Sequence, residues 1–219
     1  MTNHPQIKIC GLTDVEQAVK CAELGANAIG LVFYPRSPRN VSEAQARDIS
    51  AELPENVRTV GVFVDESFSN IMRKAEHCNL GAVQLHGHET PAFVRQLRNE
   101  DIPVIKGLFT TRPPFLEDAP NFKASAFLAE CGKGVLPGGN AMTWNWGDAK
   151  KFGEAYPLIL AGGLSPENVA QAISESQPDA VDVSSGVEAS PGQKNIAKAE
   201  AFIRAVCGCR MEKKARTIF

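Results

Sequence analysis

The fold is decided by residues 158–167, which read LILAGGLSPE. The apolar run 158–161 is typical of a buried strand, and the glycine pair after it is typical of a tight turn. Ser165 and Pro166 then predict the start of a helix, with serine as the cap and proline at the first helical position. One strand and one helix joined by a short loop are therefore the unit from which the rest of the chain can be interpreted.

The same unit recurs along the whole chain. Apolar runs alternate with segments whose apolar residues repeat at helical spacing, as in the segment after a capping Asp14. The weakest helix is predicted within the proline-rich segment 109–123, and another helix is predicted near Trp146. Eight apolar runs have the length of a strand, and they are residues 7–10, 28–33, 58–64, 82–85, 104–108, 126–129, 158–161 and 180–183.

Alternating strands and helices indicate parallel strands, and runs that are apolar throughout indicate strands covered on both faces. Eight units favour closure into a single (βα)8 TIM barrel of the α/β class, while a doubly wound open sheet is the alternative that alternation alone leaves open. No linker divides the chain. We therefore expect one domain over residues 1–219, with a barrel core at about 7–206 and a C-terminal tail at 207–219.

Composition excludes several classes of protein. The chain has 23 basic and 25 acidic side chains, a net charge of −2, and 43% hydrophobic residues, which is ordinary for a globular protein. The basic excess of a general nucleic-acid binder is missing, and no apolar run approaches the roughly 20 residues that span a bilayer. The first ten residues have no secretory pattern. We expect a cytoplasmic protein without nucleic-acid or membrane partners, and the sequence has no signal for an oligomeric state.

The six cysteines are too few for a disulfide scaffold in a chain of this length, and they lack the paired spacing of a zinc site. We therefore expect free thiols and no metal. Cys207 and Cys209 lie beside the basic C-terminal segment, where they could form a redox or metal pair. A frayed terminus is the preferred interpretation of this segment.

In a barrel of this kind the active site lies where the strands end. Two glycine- and serine-containing groups follow the seventh and eighth apolar runs, at the place where such barrels often bind phosphate through backbone N–H groups. Each group alone could simply form a tight turn, but together they favour a phosphorylated small-molecule ligand. The residues predicted to bind phosphate are Gly162, Gly163, Ser184, Ser185 and Gly186.

Other polar residues at strand ends are candidates for acid–base chemistry. Cys10 could serve as a base or nucleophile if its pKa is lowered, or it could be a small buried apolar residue. Glu130 could be the matching general acid, or a solvated loop carboxylate. Arg39 could bind an anion in a bidentate manner, or lie on the surface. His86 is at the end of the fourth run, where a structural histidine is more common than a ligand-binding one.

Six blocks in order along residues 7–206 resemble the phosphoribosylanthranilate isomerase family of tryptophan biosynthesis. The blocks are KICGLT at 8–13, GLVF at 30–33 with SPR at 37–39, VGVFV at 60–64, VQLHG at 83–87, AGGL at 161–164 with PENV at 166–169, and VDVSSGVE at 181–188.

The resemblance implies a (βα)8 barrel without a cofactor that performs an Amadori rearrangement of an aminoaldose to an aminoketose. It implies that Cys10 is the general base and that Arg39 holds the anthranilate carboxylate. The glycine and serine loops at 162–163 and 184–186 match the phosphate-binding loops of the family. Asp182 and His86 fall at positions that line the substrate pocket.

One region departs from the family pattern. The family has Leu-Leu-Asp after the sixth strand, with the aspartate as general acid, whereas residues 128–130 read Leu-Ala-Glu. The glycine loop at 138–146 also lacks the usual lysine. Glu130 keeps a carboxylic acid but moves it by roughly an ångström, which can cost about a hundredfold in rate unless the backbone compensates.

Two other functions are compatible with part of this pattern. A bifunctional sugar-phosphate isomerase is one, but those barrels have an aspartate at the position of Cys10. A barrel that binds a phosphorylated ligand without catalysis, or that acts on a different substrate, is the other. The altered position of Glu130 is the feature that would support it.

Overall fold

The computed structural model describes residues 4–133 and 142–219, and these form a closed barrel of eight parallel strands with helices outside. The barrel strands are β1 (Gln6–Cys10), β2 (Ala28–Phe33), β3 (Arg58–Phe63), β4 (Ala82–Leu85), β5 (Val104–Phe109), β6 (Ala126–Glu130), β7 (Leu158–Leu160) and β8 (Ala180–Val183). The helices are α1 (Val15–Glu23), α2 (Glu43–Glu52), α3 (Phe68–His77), α4 (Pro91–Arg98), α5 (Ala119–Phe122), α6 (Lys150–Ala155), α7 (Val169–Ser176) and α8 (Ile196–Cys207). A short hairpin of β9 (Glu188–Ser190) and β10 (Gln193–Lys194) follows β8.

The ring is closed by pairing between the first and the last barrel strands. β1 and β8 run parallel, with Lys8 opposite Asp182 and Ile9 opposite Val183. Every other barrel strand pairs with its neighbours in chain order. The predicted TIM barrel is therefore confirmed, and the open doubly wound sheet is excluded because such a sheet leaves two unpaired edges.

Local sequence accounts for several helix starts. The Asp14 side chain accepts a hydrogen bond from the Gln17 backbone N–H at the start of α1, as predicted. α2 begins with a capping box between Ser42 and Gln45. These caps satisfy N–H groups that have no partner within the helix.

The predicted start of the seventh helix at Ser165 is wrong, because α7 begins at Val169. The Asn168 side chain explains the difference. Its oxygen accepts the Ser165 backbone N–H, and its amide donates to the carbonyl of Gly163. Residues 166–168 therefore form a turn that is tied back to the glycine pair, and the helix starts only after this turn.

The two helices predicted in the segment 109–123 and near Trp146 are both short and begin as 3-10 turns. The segment 109–123 contains a single 3-10 turn, Leu116–Asp118, and the one-turn helix α5. Its prolines lack the N–H group that a longer helix needs. The helix predicted near Trp146 starts as a 3-10 turn, Trp146–Ala149, and continues into α6. No helix in the described ranges is long and apolar enough to cross a membrane.

Side chains inside the barrel form one apolar cluster, distinct from the larger core between the strands and the helices. The interior cluster consists of Ala28, Val60, Ala82, Ile105, Ala126, Leu128, Ile159, Ala161 and Ala180. Because side chains alternate along a strand, the next inward position after Leu128 is Glu130, and the next after Ala180 is Asp182. The apolar layers therefore end in a polar layer at the carboxyl ends of the strands.

The expectation of a frayed C-terminus is wrong. Ile218 and Phe219 pack against the interior cluster, and the Gln6 side chain bonds to the backbone of both residues at the amino end of the barrel. Asp179 is buried and accepts the Arg216 backbone N–H, with the Arg216 guanidinium 3.6 Å from its carboxylate. The tail therefore covers the end of the barrel opposite the polar layer.

Removal of this cover should destabilise the barrel without changing its chemistry. Deletion of residues 217–219 is expected to lower the free energy of unfolding by about 2 kcal/mol, since two partly buried apolar side chains are lost. Deletion of 212–219 should cost more, because it also removes Arg216 and leaves the Asp179 carboxylate buried without that partner. Urea denaturation measures both values, and an unchanged midpoint for both deletions would show that the tail contributes nothing to folding.

Candidate active site

Six of the predicted site residues line a single pocket at the carboxyl ends of β6, β7 and β8. They are Glu130, Gly162, Gly163, Asp182, Ser184 and Ser185. Lys133 and Met142 also line this pocket. Cys10, Arg39, His86 and Gly186 lie outside its lining. His86 contacts Glu130, Arg39 is linked to Ser184 through Glu188 and Lys194, and the charge of Asp182 acts on Cys10. The polar layer predicted from strand ends is therefore one continuous region of the barrel.

Cys10 ends β1 and is 7% exposed. Gly30 on β2 makes room for the thiol, because a Cβ atom at Gly30 would lie 2.6 Å from the Cys10 Sγ. Burial raises the pKa of the Cys10 thiol above its ordinary value, and Asp182 adds to this rise, whereas the positive charges of Lys8 and Lys194 oppose it. Lys8 and Lys194 limit this rise without reversing it, so the lowered pKa on which the role of Cys10 as a base was made to depend is not observed.

Glu130 is the last residue of β6 and is 8% exposed, so it is not the solvated carboxylate of the alternative interpretation. The His86 Nε2 lies 3.3 Å from a Glu130 carboxylate oxygen, and the Gln84 side-chain nitrogen lies 3.2 Å from the His86 Nδ1. Arg112 stacks on the ring of Phe109, with its guanidinium carbon 3.4 Å from the ring centroid. The acid candidate is therefore held by a histidine that is itself oriented by a buried amide.

Arg39 is buried rather than lying on the surface. Its Nε and Nη2 donate to the two carboxylate oxygens of Glu188, each at 2.8 Å. Its aliphatic stem packs against Gly11, where a Cβ would lie 2.5 Å from the Arg39 Cδ. The Nη1 group donates to no acceptor among residues 4–133 and 142–219. Arg39 is thus fixed beside the end of β1 with one face of its guanidinium group available.

Glu188 and Lys194 connect this arginine to the loop after β8. Lys194 Nζ donates to a Glu188 oxygen at 2.8 Å and to the Ser184 carbonyl at 3.1 Å. Although burial raises the pKa of Glu188, the hydrogen bonds from Arg39 and the charge of Lys194 leave it below its ordinary value. Glu188 therefore remains an anion that orients both cations.

The two candidate phosphate loops pack against each other. Gly162 and Gly163 have backbone φ values of +90° and +69°, which residues other than glycine rarely adopt. A Cβ at Gly186 would lie 1.9 Å from the Leu164 carbonyl oxygen, so only glycine fits there. The backbone N–H groups of Gly162, Gly163 and Ser184 donate to no acceptor in the described part of the chain. Such groups at one place form a suitable site for an anion.

The two tryptophans also hold this region. Trp144 Nε1 donates to the Ala161 carbonyl at 2.9 Å, and Trp146 Nε1 donates to the Gly162 carbonyl at 3.2 Å. They fix the end of β7 and the first glycine of the loop. The glycine loop itself lies partly outside the described residues, since 134–141 include its residues 138–141.

Strand-end analysis did not single out Lys8, Gln84, Glu188 or Lys194. Lys8 precedes Cys10 by two positions and Gln84 precedes His86 by two positions, so each lies on the inward face of its strand one layer deeper. A charged or amide residue within an apolar strand was the available signal. Glu188 and Lys194 are on the β9–β10 hairpin, whose contacts with Arg39 depend on the folded chain.

Comparisons with known proteins are consistent with this geometry. The model of the family described as N-(5'phosphoribosyl)anthranilate (PRA) isomerase matches residues 7–205. The N-(5'-phosphoribosyl)anthranilate isomerase of Desulfatibacillum aliphaticivorans is 49% identical over 214 residues, covering 98% of each chain. That of Pelobacter propionicus is 40% identical over 207 residues, covering 94% of this chain and 98% of the relative.

Solved structures give the same result. The phosphoribosyl anthranilate isomerase of Thermotoga maritima superposes with a TM-score of 0.86 at 41% identity, covering 93% of this chain and 99% of that one. Another structure of a phosphoribosyl anthranilate isomerase, with a TM-score of 0.81 at 40% identity and the same coverage, is a complex with reduced 1-(o-carboxyphenylamino)-1-deoxyribulose 5-phosphate. That ligand carries a carboxylate and a phosphate.

Proposed function

The chain belongs to the N-(5'-phosphoribosyl)anthranilate isomerase family, and we propose that Cys10 and Glu130 are the base and the acid of its reaction. The enzyme converts N-(5'-phosphoribosyl)anthranilate to 1-(2-carboxyphenylamino)-1-deoxyribulose 5-phosphate, a step of tryptophan biosynthesis. The substrate and the product are isomers, so the reaction moves protons and a double bond within one molecule. Family membership and a site with a buried acid and a buried thiol both favour catalysis over a barrel that only binds.

The first step assigned to this site is opening of the furanose ring. Glu130 donates a proton to the ring oxygen as the C1′–O bond breaks, and the nitrogen lone pair forms a Schiff base with C1′. Burial of Glu130 excludes bulk water from the carboxyl group. The His86 ring fixes the direction of the carboxyl group, as general acid catalysis requires.

The second step is removal of a carbon-bound proton. The Cys10 thiolate takes the proton from C2′, and the electrons of the C–H bond form the C1′=C2′ double bond of an enolamine. Protonation at C1′ and loss of the C2′ hydroxyl proton then give the ketone. The positive charges of Lys8 and Lys194 support this role, since they offset part of the rise in the Cys10 pKa that burial and Asp182 cause.

The two ends of the substrate fit the two anchoring regions. The phosphate suits the backbone N–H groups of Gly162, Gly163 and Ser184, with Ser185 and Gly186 completing the loop. The anthranilate carboxylate suits Arg39, whose Nη1 is available beside the end of β1. Asp182 lines the pocket between these regions, where it can accept a hydrogen bond from a sugar hydroxyl.

Substitution of Arg39 by alanine should mainly weaken substrate binding. Loss of a charge-assisted hydrogen bond worth about 1.5–3 kcal/mol raises KM by about 10- to 100-fold, with a smaller change in kcat. Steady-state kinetics measure this split. Arg36→Ala is the matched control, because Arg36 is an exposed arginine of the same loop. Equal KM values for the Arg39 and Arg36 variants would remove Arg39 from carboxylate binding.

The observation that carries the proposed roles is the shared polar layer: an inward thiol on β1, an inward carboxylic acid on β6, and free N–H groups after β7 and β8. Chromatography with mass spectrometry tests the reaction, since the aminoketose has the mass of its substrate but a different retention. Enzyme-dependent appearance of this isomer is expected, and recovery of unchanged substrate would contradict the proposal. Location in the cytoplasm stays a prediction.

A further inference from the structure

A lysine lies inside the barrel directly beneath the thiol. Lys8 and Cys10 are two positions apart on β1, so both side chains point inward, with Lys8 one layer deeper. Lys8 is completely buried. A buried ammonium group is costly unless it has partners, so its presence in the interior requires an explanation.

Asp182 on β8 is the partner that fixes this lysine. The two residues face each other across the closing strand pair, and Lys8 Nζ lies 2.9 Å from the Asp182 Oδ1. Burial lowers the pKa of Lys8, but the negative charges of Asp182 and Cys10 outweigh this and leave it above its ordinary value. Lys8 therefore stays positively charged beneath Cys10.

Three charged groups act on the thiol from the elements packed around it. Lys8 on β1 and Lys194 on β10 favour the thiolate, and Asp182 on β8 disfavours it. Lys194 is already engaged by Glu188 and the Ser184 carbonyl, which hold it toward the hairpin and the phosphate loop. The effect of Lys8 on Cys10 is larger than the effect of Lys194.

We propose that Lys8, anchored by Asp182, is a positioning residue that stabilises the thiolate of Cys10 and so prepares it to act as a base. Asp182 then has two tasks, since its carboxylate orients the lysine and also lines the substrate pocket. The inference rests on the role of Cys10 in the proposed function. Ionisation of the thiol can nevertheless be measured without any turnover.

The test is the pH dependence of Cys10 alkylation by iodoacetamide, quantified by mass spectrometry of the Cys10 peptide. The thiolate is the reacting species, so the rate follows its fraction. In Lys8→Met the midpoint should move to higher pH, with alkylation about tenfold slower at pH 8. The double variant Lys8→Met/Asp182→Asn removes both charges of the pair, leaves no unpaired buried carboxylate, and should show a smaller shift in the same direction.

Lys194→Met is the matched control, because it removes the second cation that acts on the same thiol. Alkylation of the exposed Cys207, measured in each sample, shows whether the reagent is equally active throughout. A merely structural role for Lys8 would change the accessibility of Cys10, and hence the rate at high pH, but not the midpoint. A wild-type midpoint in both Lys8 variants would overturn the inference, as would a larger shift in Lys194→Met than in Lys8→Met.

Turnover separates this inference from the proposed function. If the wild-type enzyme isomerises the substrate while the midpoint is insensitive to Lys8, only the role of Lys8 is lost. If the midpoint shifts but the wild-type enzyme has no isomerase activity, the thiolate assignment stands and the reaction must be reconsidered. If both results are as expected, the rise of kcat/KM with pH should move upward in Lys8→Met by the same amount as the alkylation midpoint.

Discussion

Replacement of Cys10 by serine should lower kcat by about 10²–10⁴-fold, the usual contribution of a positioned general base. A serine hydroxyl ionises far less readily than a thiol, so it cannot accept the C2′ proton at neutral pH. The side chain keeps its size and its place beside Gly30, and little change in stability or KM is therefore expected. Steady-state turnover and thermal denaturation of the same preparation measure the two effects.

The control for this substitution is Cys78→Ser. Cys78 is also buried, but it lies at the end of α3, where its thiol donates to the carbonyl of Glu43. A serine hydroxyl can keep this hydrogen bond, and the site is remote from the polar layer. Near-normal kcat in Cys10→Ser would exclude Cys10 as the base, whereas an equal loss in both variants would indicate a general effect on the fold.

Glu130→Gln should lower kcat by a similar factor, about 10²–10⁴-fold. Glutamine preserves the length of the side chain and its contact with His86, but its amide has no acidic proton to give to the ring oxygen. The KM should change little, since the phosphate and carboxylate contacts remain. Single-turnover measurements of ring opening and overall kcat both report on this loss.

Glu130→Asp is the complementary variant. It keeps the acidic proton, but the shorter side chain withdraws it from the ring oxygen and from His86, now 3.3 Å from the carboxylate. Displacement by roughly an ångström costs up to about a hundredfold, so this variant should fall between the wild-type and Glu130→Gln enzymes. Full activity of Glu130→Gln would assign the proton transfer to another group. Wild-type activity of Glu130→Asp would show that the backbone tolerates either acid.

The architecture was predictable because each strand–helix unit carries its own local signal. Apolar runs such as 28–33 and 180–183 became strands with those bounds, and Asp14 capped its helix as predicted. Closure was not determined locally, because it depends on pairing of β1 with β8. The start of α7 was missed because Asn168 bonds backward to the glycine loop. The tail was misjudged because its partner, the amino end of the barrel, exists only after folding.

The site was predictable at the strand ends and less so beneath them. Glu130 and Asp182 face the pocket together with the glycine and serine loops, as a barrel requires. The pairing of Arg39 with Glu188 and the contact of His86 with Glu130 join residues that are distant in sequence. Spacing along the chain cannot show such contacts. Lys8 was missed for another reason, since a lysine is usually solvated, whereas this one lies in the middle of β1 and points into the barrel.

The central claim, that this barrel isomerises N-(5'-phosphoribosyl)anthranilate, is tested most directly by a coupled fluorescence assay. The substrate is generated in situ, and the loss of its anthranilate-type fluorescence is followed with and without the purified enzyme. The account predicts a loss whose rate is proportional to the concentration of wild-type enzyme and is about 10²–10⁴-fold lower with the same concentration of Glu130→Gln. Equal rates with and without the wild-type enzyme, with the substrate confirmed present, would contradict it.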